Sequence, residues 1–276
     1  MNLDLHCHST ASDGALAPAE LVQRAAAQNV DVLALTDHDQ LDGLAEAREA
    51  ADAAGIKFVD GVEISVTWRG VTLHVIGLQI DRREETLMRA LRAVRAGRLG
   101  RAREMARSLD SVGIHGSFEG ALRHAENPAM VSRTHFARYL VEIGAVSDMR
   151  GAFRRYLVAG KPGYVPHRWA ALGDALRWIS AAGGQAVLAH PGRYSLSADA
   201  MDGLLLEFRA GGGAGIEVVT GSHASDQYAL FAALAAKHDL SASRGSDFHG
   251  PGEGAELGAL PALDARLRPI WQHWEL

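Results

Sequence analysis

Histidines and carboxylates are the reactive side chains that this sequence gathers into short patterns. Asp4-x-His6-x-His8 opens the chain, with Asp13 shortly after it. Thr36-Asp37-His38-Asp39, Val62-Glu63, His74, Ala189-His190-Pro191 and Ser246-Asp247-Phe248-His249 follow. Alternate residues of an extended chain point to one face, so His6 and His8 are expected to converge on one point while Leu5 and Cys7 face the other way. Imidazole and carboxylate together suit zinc, manganese or iron, and spacing does not separate the three. The single cysteine, Cys7, excludes an internal disulfide and any thiolate-rich zinc or iron–sulfur site. No G-x-S-x-G nucleophile turn and no GxxxxGK[ST] phosphate loop offers a competing chemistry.

The elements that must position these residues follow from periodicity. Apolar alternation marks seven strands, at 3–8, 31–36, 57–64, 73–80, 185–190, 215–219 and 240–244. Helical stretches lie between most of them, at 18–28, 42–54, 172–182, 201–210 and 225–238, so the frame is expected to be α/β with a largely parallel sheet. Almost every histidine–carboxylate pattern then falls at or just after the end of a strand. In a barrel of parallel strands that edge is the carboxyl-terminal face, where loops from different strands meet. His74 begins its strand pattern, and returns to the same end if that strand runs antiparallel after a turn at Trp68-Arg69-Gly70. Residues 84–180 carry helical pattern without a convincing strand: one helix near 87–109, then shorter ones near 118–125, 132–142 and 148–157. The tail, 251–276, with Trp271 and Trp274, is expected to pack on the frame.

In order and spacing these motifs resemble the PHP family, the metal-dependent domain named for polymerases and histidinol phosphatases and related to amidohydrolases. The resemblance covers almost the whole chain and is nearest to small stand-alone bacterial members that act as nucleotide phosphatases or short-RNA nucleases. It implies a distorted (β/α)7 barrel, residues 1–80 and 167–276, with a helical insertion, 81–166, capping two or three divalent ions (Mn2+, Zn2+ or Fe2+). It further implies that His6, His8, Glu63 and Asp247 hold a first ion. Glu63, bridging, would share a second with His74 and His190, and Asp13, His38 and His249 would hold a third. Glu63, Asp247 and His190 would thereby hold the hydroxide that bridges the metals and attacks the phosphorus. Three carboxylates contribute −3 against +6 from three divalent ions, so the loaded site would carry +3 and seek an anion; phosphoester hydrolysis is the expected reaction.

Charge bears on the substrate. The chain has 28 Lys and Arg against 33 Asp and Glu, net −5, which argues against a dedicated duplex-DNA binder. Residues 81–166 hold 16 basic against 9 acidic side chains, net +7. Arginines outnumber lysines 25 to 3, so much of that excess is read as a solvated face. Lys161, in the stiff turn Gly160-Lys161-Pro162-Gly163, and Arg133 and His135, where a helix opens after Ser132, are the expected substrate contacts in the cap. Arg193 and His223, in loops after the fifth and sixth strands, are further candidates. The expected substrate is a nucleoside 3′,5′-bisphosphate losing its 3′-phosphate, with a short 5′-phosphorylated oligonucleotide cut 5′ to 3′ as the alternative. Histidinol phosphatase and a non-catalytic scaffold rank lower, because a cationic substrate suits the basic segment poorly and no ligand position is missing. No run approaches the roughly 18 apolar residues of a membrane span, and the polar start Met1-Asn2-Leu3-Asp4 lacks a secretory pattern. A cytoplasmic enzyme with no membrane partner is expected.

Overall fold

A computed structural model describes residues 1–275. The frame alternates strand and helix. Strand β1 (Leu3–Asp4), helix α1 (Pro18–Ala27), β2 (Val32–Leu35), α2 (Leu44–Ala54), β3 (Lys57–Trp68) and β4 (Val71–Leu78) lead into the helical segment. That segment holds α3 (Glu85–Arg95), α4 (Arg98–Asp110), α5 (Ser117–Arg123), α6 (Arg133–Glu142) and α7 (Met149–Ala152), which runs into a wider turn over Phe153–Leu157. The frame resumes with β5 (Ala170–Ala171), α8 (Leu172–Ala181), β6 (Gln185–Leu188), α9 (Ala198–Ala210), β7 (Gly215–Thr220), α10 (Ser225–Lys237) and β8 (Ser241–Gly245).

The strands follow the order β1-β2-β3-β4-β6-β7-β8, and the Leu5 N–H bond to the Arg244 carbonyl (3.1 Å) and the Cys7–Phe248 bridge bring the last strand back to the first. The result is the expected distorted seven-stranded barrel. All neighbours pair in parallel except β4, which is antiparallel to both β3 and β6. Its reversal is local chemistry: Arg69 and Gly70 both take positive φ (46° and 82°), the two-residue hairpin geometry that matches strand twist. His74 therefore lies opposite Ser65, two residues from Glu63. The small β5, which pairs with β3, carries no periodic signal in two residues and was not expected.

Two packing surfaces account for the alternation. Inward residues (Leu3, Leu5, Val32, Ala34, Val59, Ile76, Leu78, Val187, Ala189) fill the barrel, with Ile270, Trp271 and Trp274 packed against them. Outward residues such as Leu33, Leu35, Val62, Ile64, Leu188 and Ile216 meet the buried stripes of α1, α2, α8 and α9. Leu5 belongs to the inner set and Cys7 to the outer one, so the expected alternation breaks where β1 ends; strict period two would have required His6 to leave the site side.

The single helix expected over 87–109 is two. The chain bends at Gly97, where a Cβ would come within 2.6 Å of the His167 ring. Leu87 and Leu91 of α3 pack into the frame's large cluster beside α8, whereas Ala102, Met105 and Leu109 of α4 join Phe136, Leu140, Ala152 and Leu157 in a separate one. Among the described residues no helix is long and apolar enough to cross a membrane.

Candidate metal centre

Glu63 and His74, inside β3 and β4, meet His6, His8, Asp13, His38, His190, Asp247 and His249 from the segments that follow the other strands, at one end of the barrel. Glu63, in β3, is the hub. Its Oε1 lies 2.9 Å from His74 Nδ1, 3.0 Å from His190 Nε2 and 3.4 Å from His6 Nε2; its Oε2 lies 2.9 Å from His38 Nδ1 and 3.3 Å from His8 Nε2. Asp247 Oδ1 stands 3.4 Å from both His6 Nε2 and His8 Nε2. Asp13 sits 3.5 Å from His249, 3.8 Å from His8 and 3.9 Å from His38. Four ligand-type groupings result: His8, Asp13, His38 and His249; His6, Glu63 and His190; His6, His8 and Asp247; His38, Glu63 and His74. They overlap more than the three sets implied by the resemblance, because His6, His8, His38 and Glu63 each face two of them.

Six of these side chains have a buried polar atom without a hydrogen-bond partner: His8 Nδ1, Asp13 Oδ1, His38 Nδ1, Glu63 Oε2, His190 Nδ1 and Asp247 Oδ1. The 2.9 Å approach of His38 to Glu63 is not aligned as a hydrogen bond. Such orphans cost roughly 1–3 kcal/mol each, and a divalent cation accepting their lone pairs removes the penalty. Burial alone would raise Glu63, but His74, then His38 and His6, outweigh it and hold the carboxyl well below its usual range. Burial would likewise raise Asp13 and Asp247, but the surrounding histidines outweigh it and hold both carboxyls well below their usual range. Burial pushes His8 and His190 down to about 3. Ionised carboxylates and the neutral His8 and His190 are in the state metal binding requires, whereas the nearby carboxylates raise His6 and His38, whose protons an arriving cation displaces; the donor set fits divalent ions.

Residues behind the cluster fix its orientation. Glu217, buried in β7, accepts from His6 Nδ1 (2.9 Å) and from the His190 backbone N–H (2.6 Å), which turns His6 Nε2 toward Glu63 and Asp247. His249 Nδ1 donates to the Asp247 carbonyl (2.9 Å), leaving Nε2 facing Asp13. Asp37 accepts from Ser9 and Ser12, and Asp39 from Ser65 and Arg98. His190, Asp247 and Asp39 take positive φ (26°, 56° and 51°), a strain of order 1 kcal/mol or more for non-glycine residues that these bonds hold in place.

A pocket of about 50 Å³ above the cluster is lined by Arg98, Arg101, Arg133 and Arg193 among others, and it shares Thr134, Phe153, Arg193, Asp247 and His249 with a wider groove of about 660 Å³. Burial first, then the mutual repulsion of these guanidiniums, lowers Arg101 and Arg133. Arg133 and Arg193 line this pocket, Arg193 also donating to Asp247 (3.0 Å). Three other expected contacts do not. Lys161 is exposed on its turn and lines neither cavity. His135 is buried beneath the helix start, its Nδ1 accepting the Ser132 N–H (3.0 Å), so it caps α6. His223 edges the groove, but both ring nitrogens are engaged, by Gly192 N–H and the Val218 carbonyl.

Sequence reading missed Glu217, Asp39, Arg98, Arg101 and Ser132. Glu217 had one signal, a charge in the middle of the apolar run Gly215-Ile-Glu-Val-Val. The arginines were hidden among others of the same composition.

A PHP domain model matches residues 4–186. The chain belongs to the PHP domain family. It is 54% identical over 275 residues to a 3′,5′-nucleoside bisphosphate phosphatase of Chromobacterium violaceum, covering 99% of this chain and 96% of that one. It is 43% identical over 274 residues to the 5′-3′ exoribonuclease Rnm of Escherichia coli, covering 99% and 93%. Among solved structures, an amidohydrolase from Chromobacterium violaceum with bound sulfate and no metal superposes with a TM-score of 0.96, at 54% identity and 99% and 95% coverage.

Proposed function

We propose that this protein is a metal-dependent phosphoesterase that removes the 3′-phosphate of a nucleoside 3′,5′-bisphosphate. The observation that carries the reading is the convergence of nine ligand-type side chains, six with orphaned buried atoms, beneath a pocket lined by arginines. His6, His8, Asp13, His38, Glu63, His74, His190, Asp247 and His249 would hold two or three divalent ions, with manganese, zinc and iron all suited to the donors. Such ions supply positive charge that polarises phosphoryl oxygens and lowers the pKa of water toward neutrality. Glu217 and the Asp247 carbonyl fix the tautomers of His6 and His249. Arg133 and Arg193 bind phosphate oxygens from the cap and from the loop after β6, and Arg101 adds charge at the pocket wall. The separate apolar core of residues 102–157 supports a helical cap within 81–166 that begins at α4, because α3 packs with the frame of 1–80 and 167–276. A small nucleotide, and no membrane, suits a site of this size, and the one buried free cysteine is compatible with the cytoplasm.

The groove favours a second reading. At about 660 Å³ it exceeds what one phosphate needs and could lead a short 5′-phosphorylated oligonucleotide to the same cluster for 5′-to-3′ cleavage. Purified manganese-loaded protein offered adenosine 3′,5′-bisphosphate, AMP, histidinol phosphate and short 5′-phosphorylated RNA tests both. The bisphosphate is expected to give the highest kcat/KM. Mononucleotide release from RNA at a higher kcat/KM would replace the first reading by the second, and no turnover of any of the four would sink both.

A further inference from the structure

Asp13, His38 and His249 differ from the other ligand-type residues in how they are held. Glu63 and His74 lie within strands, and His6 and His190 are bonded to Glu217 of β7. Asp13, His38 and His249 instead sit on loops beyond the strand ends, and each loop receives a bond from the helical segment. Ser132 Oγ, at the start of α6, donates to Asp13 Oδ2 (2.8 Å). Arg98, at the start of α4 and 5% exposed, pairs with the Asp39 carboxylate next to His38, while Arg95 donates to the Asp39 carbonyl (2.6 Å). Arg138, on α6, forms a bidentate pair with Glu253 (2.7 and 2.8 Å) and also donates to the His249 carbonyl (3.1 Å) and, at 3.5 Å, to that of Gly14, the residue after Asp13.

We propose that Arg98 and Arg138 are positioning residues that make one metal position, the one faced by Asp13, His38 and His249, dependent on the cap. The strain at Asp39 (φ 51°) is held from the cap side by Arg98 and Arg95 and from the barrel side by Ser65. Removing Arg98 takes the countercharge from the buried Asp39 carboxylate, which keeps only the Ser65 donors, and removing Arg138 leaves the His249 carbonyl only the Ala15 N–H, so the loops loosen. Outer groups that orient ligands typically govern metal affinity by 10–100-fold. The cap would then be a strut that completes the centre, and an ion would be lost while the strand-held positions stay filled. This inference rests on the metal-binding reading of the cluster and is independent of the substrate.

Metal content and affinity test it without reference to turnover. Wild-type chain, Arg98→Met, Arg138→Met, the conservative Arg138→Lys and the control Arg209→Met are stripped, reloaded with Mn2+ and dialysed, and the ion-to-protein ratio and Kd values are measured. Arg209, at the end of α9, pairs with Asp239 (2.8 Å) before the start of β8, at the opposite end of the barrel from the cluster. Arg98→Met and Arg138→Met are expected to weaken one ion by about 10–100-fold and leave the others unchanged, as Asp13→Asn should, with partial recovery in Arg138→Lys and none of this in Arg209→Met. If a methionine variant fails to fold by circular dichroism, Asp39→Asn and Glu253→Gln remove the same pairs without opening a cavity. Full ion content at wild-type Kd in folded variants overturns the proposal, as does equal weakening of every ion. A wild-type chain that takes up no metal overturns the metal reading itself and this inference with it.

Discussion

Replacing Glu217 by glutamine changes one buried atom and removes a charge. In the native chain its two oxygens accept two donors, His6 Nδ1–H at 2.9 Å and the His190 N–H at 2.6 Å. Glutamine offers one oxygen and one NH2, so one of the two donors must face another donor. If the amide oxygen keeps His190, His6 loses its acceptor and shifts toward the tautomer that carries its proton on Nε2, the nitrogen aimed at Glu63 and Asp247. If it keeps His6, the strained His190 backbone loses its anchor. Either outcome forfeits a bond to a charged group, worth roughly 1.5–3 kcal/mol. At about 1.4 kcal/mol per decade, metal affinity should fall by about 10- to 150-fold. Titration calorimetry with Mn2+ measures it. Denaturant unfolding of the metal-free variant separates the site effect from the fold, which should lose no more than about 3 kcal/mol. Unchanged affinity in a folded Glu217→Gln chain would refute the claim that this carboxylate governs the ligand geometry.

Other expectations follow from the same geometry. Asp247→Asn should lose most bound metal together with activity, checked by elemental analysis, while exhaustive EDTA treatment should leave the circular dichroism of the fold intact, because the two packing layers of the barrel carry its stability. Lys161→Ala should change kcat/KM for a bisphosphate by less than about twofold, whereas Arg133→Ala, losing a charge-assisted bond, should cost about 10- to 150-fold; equal effects would show that the cavity is not where the second phosphate is held. Burial would lower His38, but Glu63 and Asp13 outweigh it and raise it to about 9 in the metal-free chain. Metal uptake there must displace a proton, so affinity should rise up to tenfold per pH unit up to about pH 9 and flatten above. Proton release measured in buffers of different ionisation enthalpy should be near one per ion taken up at that position at pH 7. The sign for stability is opposite: the raised His38 stabilises the metal-free fold fully below pH 6.5, its ordinary value, and the contribution is lost as pH rises through 9.

The barrel and its ligand-type residues were legible because they follow local rules. Period-two alternation marked the strands, glycine and proline punctuated them, and each histidine or carboxylate next to a strand end could be assigned to one face of the sheet without knowing its neighbours. The Arg69-Gly70 turn even carried the reversal of β4 that returns His74 to Glu63. Sequence therefore determined the class of fold, the chemistry of the donors and the end of the barrel where they meet. What only the tertiary structure decided is partnership across long separations. Glu217 reaches His6 across 211 residues, and Arg138 reaches the His249 carbonyl from a different helical layer. Twenty-five arginines look alike in a sequence; burial against a particular carboxylate makes Arg98 and Arg138 struts, leaves Arg133 facing the pocket, and leaves others on the solvent face. Lys161 shows the converse, for it is one of three lysines yet is exposed and lines neither cavity. Residue type and spacing encode which groups can hold an ion, whereas desolvation and pairing, which set their charge and orientation, exist only once distant segments pack together.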